Sequence, residues 1–221
     1  MNRPLAALLW LSSVQFFLAQ AIVQSAWSTP FSLKQNFISD LGNTACASYP
    51  AGSDNYVCSP WHVGMNASFV LFGLTIALGA GFARDVLRPG LLRTVALVLL
   101  VLAGPGYIAV GLLPENVNLI PHKIGAGFVF VSGNLGLVLL GFVILETFRR
   151  RVLATSLTVF GIVGLVATAL LVSGHFLGAG IGGMERIAAY PLPIGLIMVG
   201  LVLLKHARLA AAHPPNPRRS A

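Results

Sequence analysis

Long apolar stretches separated by short charged loops dominate the pattern of hydrophobic and polar positions along the chain. A helix needs about 20 apolar residues to cross a hydrocarbon core of about 30 Å. Six stretches of this kind are present, at residues 4–24, 61–83, 94–113, 121–145, 152–179 and 187–204. The pattern therefore predicts an all-α integral membrane protein, a bundle of six transmembrane helices within residues 1–205.

Basic residues collect at one end of the predicted helices. Eleven of the 14 Lys and Arg residues lie in the termini and in the loops on the same side, whereas Lys34, Lys123 and Arg186 lie on the other. Because basic residues concentrate in cytoplasmic loops, both termini are predicted to be cytoplasmic, including a basic tail at residues 206–221. The predicted localisation is the plasma (cytoplasmic) membrane.

The composition is that of a membrane protein and favours lipid over nucleic acid as the partner. The 221 residues are 56% hydrophobic and 9% charged, whereas about a quarter of the residues of a soluble domain are charged. The net charge of +8 is accounted for by the basic residues of the predicted cytoplasmic loops and termini. It therefore gives no reason to expect nucleic-acid binding. Membrane lipid is the expected partner in general, and anionic lipid of the inner leaflet is the expected partner of the basic loops.

One predicted outer loop, residues 25–60, is long enough to hold structure of its own. Thr29 and Pro30 suit the N-cap and first positions of a helix, apolar residues recur every four positions from Leu33, and Gly42 suits its end. These features predict a short interfacial helix.

The two cysteines of the chain, Cys46 and Cys58, lie in the same outer loop. An oxidising compartment favours a disulfide between them. A metal or redox role is the alternative, for which a spacing of twelve residues without a CxxC motif is poor.

Three of the five histidines fall at the outer ends of predicted helices two, four and five: His62, His122 and His175. The positive end of the helix dipole disfavours imidazolium in the first turn, where His62 and His122 lie, and metal binding or general-base chemistry needs a neutral ring. The three rings are candidate ligands of a zinc ion. The alternative is that each is an amphipathic side chain or a cap partner at the interface.

Other polar residues at similar depth complete a predicted outer pocket. They are Ser39, Asp40 and Glu185 as catalytic candidates, and Arg186, Asn66 and Tyr190 as candidates for substrate binding. Asp40 has an alternative role as a cap, Glu185 and Arg186 as a local ion pair, and Tyr190 in packing. No ionisable residue interrupts the middle of a predicted helix, which argues against a proton relay or an ion pump.

Short motifs spread along the chain carry a family resemblance. They are Ile38-Ser39-Asp40-Leu41-Gly42, Ser59-Pro60 with His62 and Asn66, Leu113-Pro114-Glu115 before Pro121-His122, and Glu185-Arg186 before Tyr190-Pro191. With these motifs the chain resembles, over nearly its whole length, the prokaryotic six-span membrane proteins of the DUF998 family. That resemblance implies an integral membrane protein with no assigned activity.

A more distant similarity is to the CREST superfamily of alkaline ceramidases and adiponectin-type receptors. It implies a zinc ion held by three histidines near Ser and Asp, and His62, His122, His175, Ser39 and Asp40 supply the same residue types. That superfamily places two histidines one turn apart on a late helix, and this chain has no such pair.

Two classes of function compete on these features. The first is a membrane-embedded enzyme acting on a lipid or lipid-like substrate from the extracytoplasmic side. A zinc-bound hydroxide would attack an ester or amide while Glu185 or Asp40 orients water or protonates the leaving group; a metal-free form would use the same groups in acid and base chemistry. The second is a non-catalytic lipid-binding, sensing or accessory protein. A haem held by two imidazoles is a third hypothesis.

Overall fold

The computed structural model describes residues 2–49, 52 and 55–212, and this part of the chain is almost entirely helical. Its α-helices are α1 (Asn2–Leu11), α2 (Val14–Ser25), α3 (His62–Ala83), α4 (Leu91–Leu112), α5 (Leu119–Phe128), α6 (Asn134–Phe148), α7 (Arg151–Val172), α8 (Gly180–Ala189) and α9 (Pro191–Ala212). A π-helical turn, Val129–Gly133, joins α5 to α6. In the long loop, a 3-10 turn covers Ser39–Gly42, and β1 (Ala47–Ser48) pairs antiparallel with β2 (Tyr56–Val57).

Among the described residues, six helical stretches are long and apolar enough to cross a membrane. They are Arg3–Ser25, His62–Ala83, Leu91–Leu112, Leu119–Phe148, Arg151–Val172 and Gly180–Ala211. The predicted all-α architecture with six spans is thereby confirmed. We call the end of the bundle that carries residues 26–61, 113–118 and 173–179 the outer end, and the end that carries the loop between α3 and α4 the arginine end.

Several helices begin or end at residues other than those predicted. The fifth span ends at Val172 rather than at 179, because Gly174 and Gly178 adopt left-handed backbone with φ of 75° and 80°. The sixth begins earlier, as α8, and continues to Ala212. Part of the predicted tail is therefore helical, while residues 213–221, with Arg218 and Arg219, lie outside the described residues.

The first span is two helices rather than one. The α-helical hydrogen-bond pattern is interrupted at Ser12 and Ser13, where bonds of the tighter three-residue type replace it and the Ser12 hydroxyl donates to the carbonyl oxygen of Leu9 at 2.6 Å. Short side chains that bond their own backbone compete with the helix in this way.

The spans form a closed ring in sequence order. Each packs against the next, and α9 of the last span packs against α1 of the first. Large side chains such as Trp10, Phe72 and Leu140 fill the interior, while Leu18 and Leu78 are exposed on the outside. An interior that holds the polar side chains and an apolar exterior are what a bundle in lipid requires.

The predicted interfacial helix of the long loop does not form. The side chain of Asn36 accepts the backbone N–H of Ser32 at 2.9 Å, and Asp40 accepts that of Phe37 at 2.9 Å. A helix would direct the Phe37 N–H to the carbonyl oxygen of Leu33, but Asp40 takes that N–H and Arg186 takes that carbonyl, so that a 3-10 turn remains. The segment is also buried: residues 38–43 lie inside the outer mouth of the bundle rather than on a membrane surface.

A disulfide and two polar side chains hold the long loop in this mouth. The predicted Cys46–Cys58 disulfide is present. Ser59 donates to the carbonyl oxygen of Leu41 at 2.7 Å, and the amide of Asn66 donates to that of Gly42 at 2.9 Å.

The loop also lies directly against α8 at a glycine. The Gly182 N–H donates to the carbonyl oxygen of Lys34 at 3.0 Å, and a Cβ added at Gly182 would overlap the backbone carbonyl of Asn36. A backbone neighbour cannot rotate away as a side chain can. The close approach of the loop to α8 therefore depends on the absence of a side chain at this position.

Gly182→Ala is expected to lower the free energy of unfolding by about 1 to 3 kcal/mol, because the loop must shift to admit a methyl group. Gly183→Ala is the matched control, since it gains the same helix propensity and its Cβ would meet only the Ala179 methyl group at 3.3 Å. Thermal unfolding of the two variants in detergent measures the difference. Equal melting temperatures would contradict a tight contact at Gly182.

Candidate functional site

The 3-10 turn places the hydroxyl of Ser39 beside the ring of His122, near the start of α5. Ser39 Oγ lies 3.0 Å from His122 Nε2, and both residues are buried. His122 Nδ1 lies 2.9 Å from the carbonyl oxygen of Leu113. Because a carbonyl can only accept, Nδ1 carries a ring proton, so that in the neutral ring Nε2 is available to accept the Ser39 hydroxyl, whose proton is also within reach of Glu185.

Glu185 of α8 completes this arrangement. Its Oε1 is a second acceptor for the single Ser39 hydroxyl proton, at 3.3 Å from Oγ, and its Oε2 accepts the backbone N–H of Ile38. We call Ser39, His122 and Glu185 the Ser39 cluster. Its members come from three elements, the outer loop, α5 and α8, so the tertiary fold alone brings them together.

A small cavity lies against the Ser39 cluster. Its volume is about 20 Å³, enough for one water molecule. It is lined mainly by Ser39, Glu185, Tyr107 and the rings of Phe16, Phe69 and Phe130. Phe130 belongs to the π-helical turn, a feature that often occurs at functional sites.

Tyr107, one of the residues that line this cavity, carries an unsatisfied hydroxyl. Tyr107 is 3% exposed, and its hydroxyl has no hydrogen-bond partner among the described residues. An unpaired buried hydroxyl costs about 1 to 3 kcal/mol. A water or ligand in the cavity would supply the missing acceptor.

Two further carboxyl groups are buried beside the cluster, in the loops. Asp40 is fully buried, Glu115 is 7% exposed, and the two carboxyl groups are close enough for each to shift the pKa of the other. Two carboxylates in contact cannot both be charged without a large penalty, so the pair holds a proton. We call them the acid pair.

Burial sets the protonation of the acid pair. It raises the pKa of Glu115 well above its usual value, and the neighbouring charge of Asp40 raises it further. Burial also raises the pKa of Asp40, while hydrogen bonds from Glu115, Asn36 and the Phe37 N–H oppose the shift. Burial and the two nearby carboxyl groups raise the pKa of Tyr49 to about 12.

Arg186 binds the backbone of the outer loop. One guanidinium nitrogen, Nη1, donates to the carbonyl oxygens of Leu33 at 3.1 Å, Asn36 at 2.7 Å and Gly182 at 2.8 Å. The guanidinium also lies 5.5 Å from the centre of the Phe31 ring. These contacts turn Arg186 inward, unlike the predicted headgroup clamp, and its hydrogen bonds go to carbonyl oxygens rather than to Glu185.

The other two predicted substrate-binding residues also make internal contacts. The Asn66 amide donates to the loop at Gly42. The Tyr190 hydroxyl donates to Gln20 Oε1 at 2.8 Å, and its ring packs against Phe17. Both side chains connect elements of the bundle, which for Tyr190 is the packing role given as its alternative.

The three predicted zinc ligands lie in different surroundings. Only His122 belongs to the Ser39 cluster. His62 Nδ1 lies 2.9 Å from the carbonyl oxygen of Ser59, and the exposed His175 lies 3.1 Å from Ser173 Oγ. Within the described ranges, no group of three or more His, Cys, Asp and Glu side chains could hold a metal ion. These donors do not fit a shared zinc ion, because each outlying ring is turned to its own helix-end partner.

The site includes Glu115, which the sequence places at a depth similar to Asp40 and Glu185 but to which no role was assigned, and Tyr107, which sequence reasoning missed. One sequence signal for Glu115 was available. The chain has six acidic residues, and those described at the outer end, Asp40, Glu115 and Glu185, are buried, whereas Asp85 and Glu146 at the arginine end are exposed. Scarce acids at one end of a membrane bundle are therefore candidates for one shared site.

Comparison with known proteins gives one match. A family model described as "Protein of unknown function (DUF998)" matches residues 10–202, a range that includes the Ser39 cluster and the acid pair. No curated protein and no solved structure matches the chain. The distant similarity to the CREST superfamily stays a prediction from residue types.

From the raised pKa values of the acid pair we predict that the free energy of unfolding falls as the pH rises. These pKa values are raised in the folded state, so above about pH 4 the folded state binds more protons than the unfolded state. The stabilisation is complete below the unfolded pKa values and is lost as the pH rises through the folded ones. We expect the melting temperature in detergent to fall between pH 5 and pH 9.

Glu115→Gln is expected to flatten this pH dependence, because the amide stays neutral and can still donate to Asp40. Glu146→Gln, an exposed acid at the arginine end, is the matched control and should keep the wild-type slope. If Glu115→Gln and wild type show the same slope, the acid pair does not hold the proton.

Proposed function

The chain belongs to the DUF998 family, and we propose that it is a membrane-embedded hydrolase that acts on an ester of a lipid or lipid-like substrate. The observation that carries the proposal is the 3.0 Å contact between Ser39 Oγ and His122 Nε2, with His122 Nδ1 held by the Leu113 carbonyl. A hydroxyl paired with the lone-pair nitrogen of an oriented imidazole is an activated nucleophile.

The reaction needs no group beyond these side chains and water. Ser39 Oγ attacks the ester carbonyl carbon while its proton moves to His122 Nε2. The bond from the carbonyl carbon to the alcohol oxygen breaks, and the alcohol takes the proton from Nε2. Water then attacks the acyl group on Ser39 and gives a proton to Nε2. The acyl bond to Oγ breaks, the acid leaves, and Oγ recovers the proton.

The surroundings of Ser39 support each stage of this reaction. The Leu113 carbonyl fixes the ring and stabilises the imidazolium that forms. The unpaired Tyr107 hydroxyl is a donor available to the oxygen that becomes negative in the tetrahedral intermediate. The aromatic walls of the cavity suit an apolar chain next to the ester. Because the cavity holds about 20 Å³, substrate must displace a wall residue to reach Ser39.

The charge distribution supports an orientation for this enzyme. The positive-inside rule favours the arginine end as the cytoplasmic end in a plasma membrane, so that Ser39 would work on the extracytoplasmic side. The basic loops at the arginine end would then contact anionic lipid of the inner leaflet.

A non-catalytic lipid-binding, sensing or accessory protein is the second candidate. The observation that favours it is the burial of Ser39, which is 9% exposed. In that case the Ser39 cluster fastens the outer loop to α5 and α8, and the cavity holds a water molecule.

Covalent labelling by a fluorophosphonate separates the two functions. Such a reagent modifies a serine only if the serine is reachable and activated by a base. We expect the protein in native membranes to be labelled at Ser39, as located by peptide mass spectrometry. Ser39→Ala should abolish labelling, and His122→Gln should slow it at least about 100-fold, the usual contribution of a general base.

Ser59→Ala is the matched control for the labelling. Ser59 is another buried serine of the outer loop, and its hydroxyl contacts a carbonyl rather than a histidine. Labelling of this variant should match wild type. Absence of labelling in correctly folded wild type, or equal labelling of the Ser39→Ala variant, would favour the non-catalytic protein.

A further inference from the structure

A basic groove lies at the arginine end, at the opposite end of the bundle from the Ser39 cluster. It encloses about 360 Å³, within the size range of about 300 to 1,000 Å³ typical of small-molecule sites. Its lining residues are Arg88, Arg149, Arg151, Glu146 and Leu145. Three positive charges thus face one negative charge and one apolar side chain.

The three arginines come from three segments that the backbone holds together. The N–H of Arg88, in the loop between α3 and α4, donates to Thr147 Oγ1 of α6 at 3.0 Å. Arg149 ends α6 with left-handed backbone, at a φ of 54°. Arg151 is the first residue of α7. The groove therefore has fixed walls, although its arginines are exposed.

The start of α7 adds a second feature that favours an anion. The described N-cap residue, Arg150, makes no side-chain hydrogen bond to the first turn of this 22-residue helix. The free N–H groups of a helix start and the positive end of its dipole attract phosphate. Guanidinium groups match phosphate oxygens in geometry as well as in charge.

The apolar residues around the groove indicate where the remainder of such a ligand would lie. Leu145 is part of the lining, and Val152, which follows Arg151 in α7, is 83% exposed. The groove lies at the end of membrane-spanning helices, with arginines lining it and exposed aliphatic side chains beside them. A phospholipid has matching parts, a charged headgroup followed by an apolar chain.

We propose that this groove binds the phosphate of an anionic phospholipid, with Arg88, Arg149 and Arg151 around the headgroup and Leu145 against the start of an acyl chain. The site is independent of the proposed hydrolase chemistry, which lies at the outer end. A soluble phosphate ester presents the same anion, so the lipid chain is what the experiment must separate from the phosphate.

The experiment measures binding of short-chain lipids to the purified full chain in detergent. The probes are dioctanoyl phosphatidylglycerol, dioctanoyl phosphatidylcholine and glycerol 3-phosphate. The groove variant is Arg88→Gln with Arg151→Gln. Its matched control is Arg84→Gln with Arg208→Gln, which removes two charges from the same end of the bundle without touching the groove lining.

We expect phosphatidylglycerol to bind saturably. The groove variant should lower its affinity about tenfold or more, and the control about twofold or less. Phosphatidylcholine should bind at least about tenfold more weakly. Equal weakening by both double variants would overturn the site in favour of diffuse attraction, as would the absence of saturable binding. If glycerol 3-phosphate binds as tightly as phosphatidylglycerol, the proposal that the ligand is a lipid is overturned.

A folding control keeps the result decisive. Both double variants should melt within a few degrees of wild type without lipid, because the substituted side chains are exposed. If the groove variant unfolds, Arg88→Lys with Arg151→Lys replaces it. Lysine keeps the charge but loses the paired contact with phosphate oxygens, so affinity should fall about threefold or more relative to the same Lys changes at Arg84 and Arg208.

Discussion

The outer loop can lie inside the bundle because its backbone carbonyls find donors there. Arg186 supplies two of these donors from one atom, since its Nη1 contacts three carbonyl oxygens, two of them from the loop. Buried carbonyls without donors are costly, and a charged donor forms the stronger kind of hydrogen bond. The bare backbone of Gly182 lets α8 come close enough for this contact. The positions of Ser39 and Asp40 follow from it.

The inserted loop also explains why ionisable groups concentrate at one end of the bundle. Residues 36–40 bring a hydroxyl and a carboxyl group into the mouth. His122 near the start of α5, Glu185 in α8 and Glu115 in the loop between α4 and α5 already lie there. Low polarity makes each charge expensive there, so the groups share protons and hydrogen bonds instead of remaining separately ionised. The acid pair and the Ser39 cluster are two results of the same burial.

The hydrophobic pattern was sufficient for the architecture, because a span must be apolar along its whole length and the lipid imposes that length. It was insufficient for the site. The sequence groups Ser39, Asp40 and Glu185 as polar residues at similar depth, and their catalytic role stays a prediction. The partner that orients His122 is the backbone carbonyl of Leu113, which has no side-chain signature. His62 and His175 have the same residue type and depth as His122 but local partners. The outer loop does not form the predicted helix, because the side chains of Asn36 and Asp40 accept hydrogen bonds from its backbone. The spacing of apolar residues does not reveal these bonds.

The composition of the Ser39 cluster favours chemistry over simple fastening. The same loop is already fastened by neutral contacts, Ser59 to the Leu41 carbonyl and Asn66 to the Gly42 carbonyl, which bury no charge. An imidazole and a carboxyl group add desolvation penalties that such a fastening does not need. The carboxyl group of Glu185 lines the cavity together with Ser39, the partner of the imidazole, and with Tyr107, whose hydroxyl has no partner among the described residues. Packing alone does not explain why groups with a desolvation penalty lie near an unsatisfied donor. Binding or catalysis requires such an arrangement.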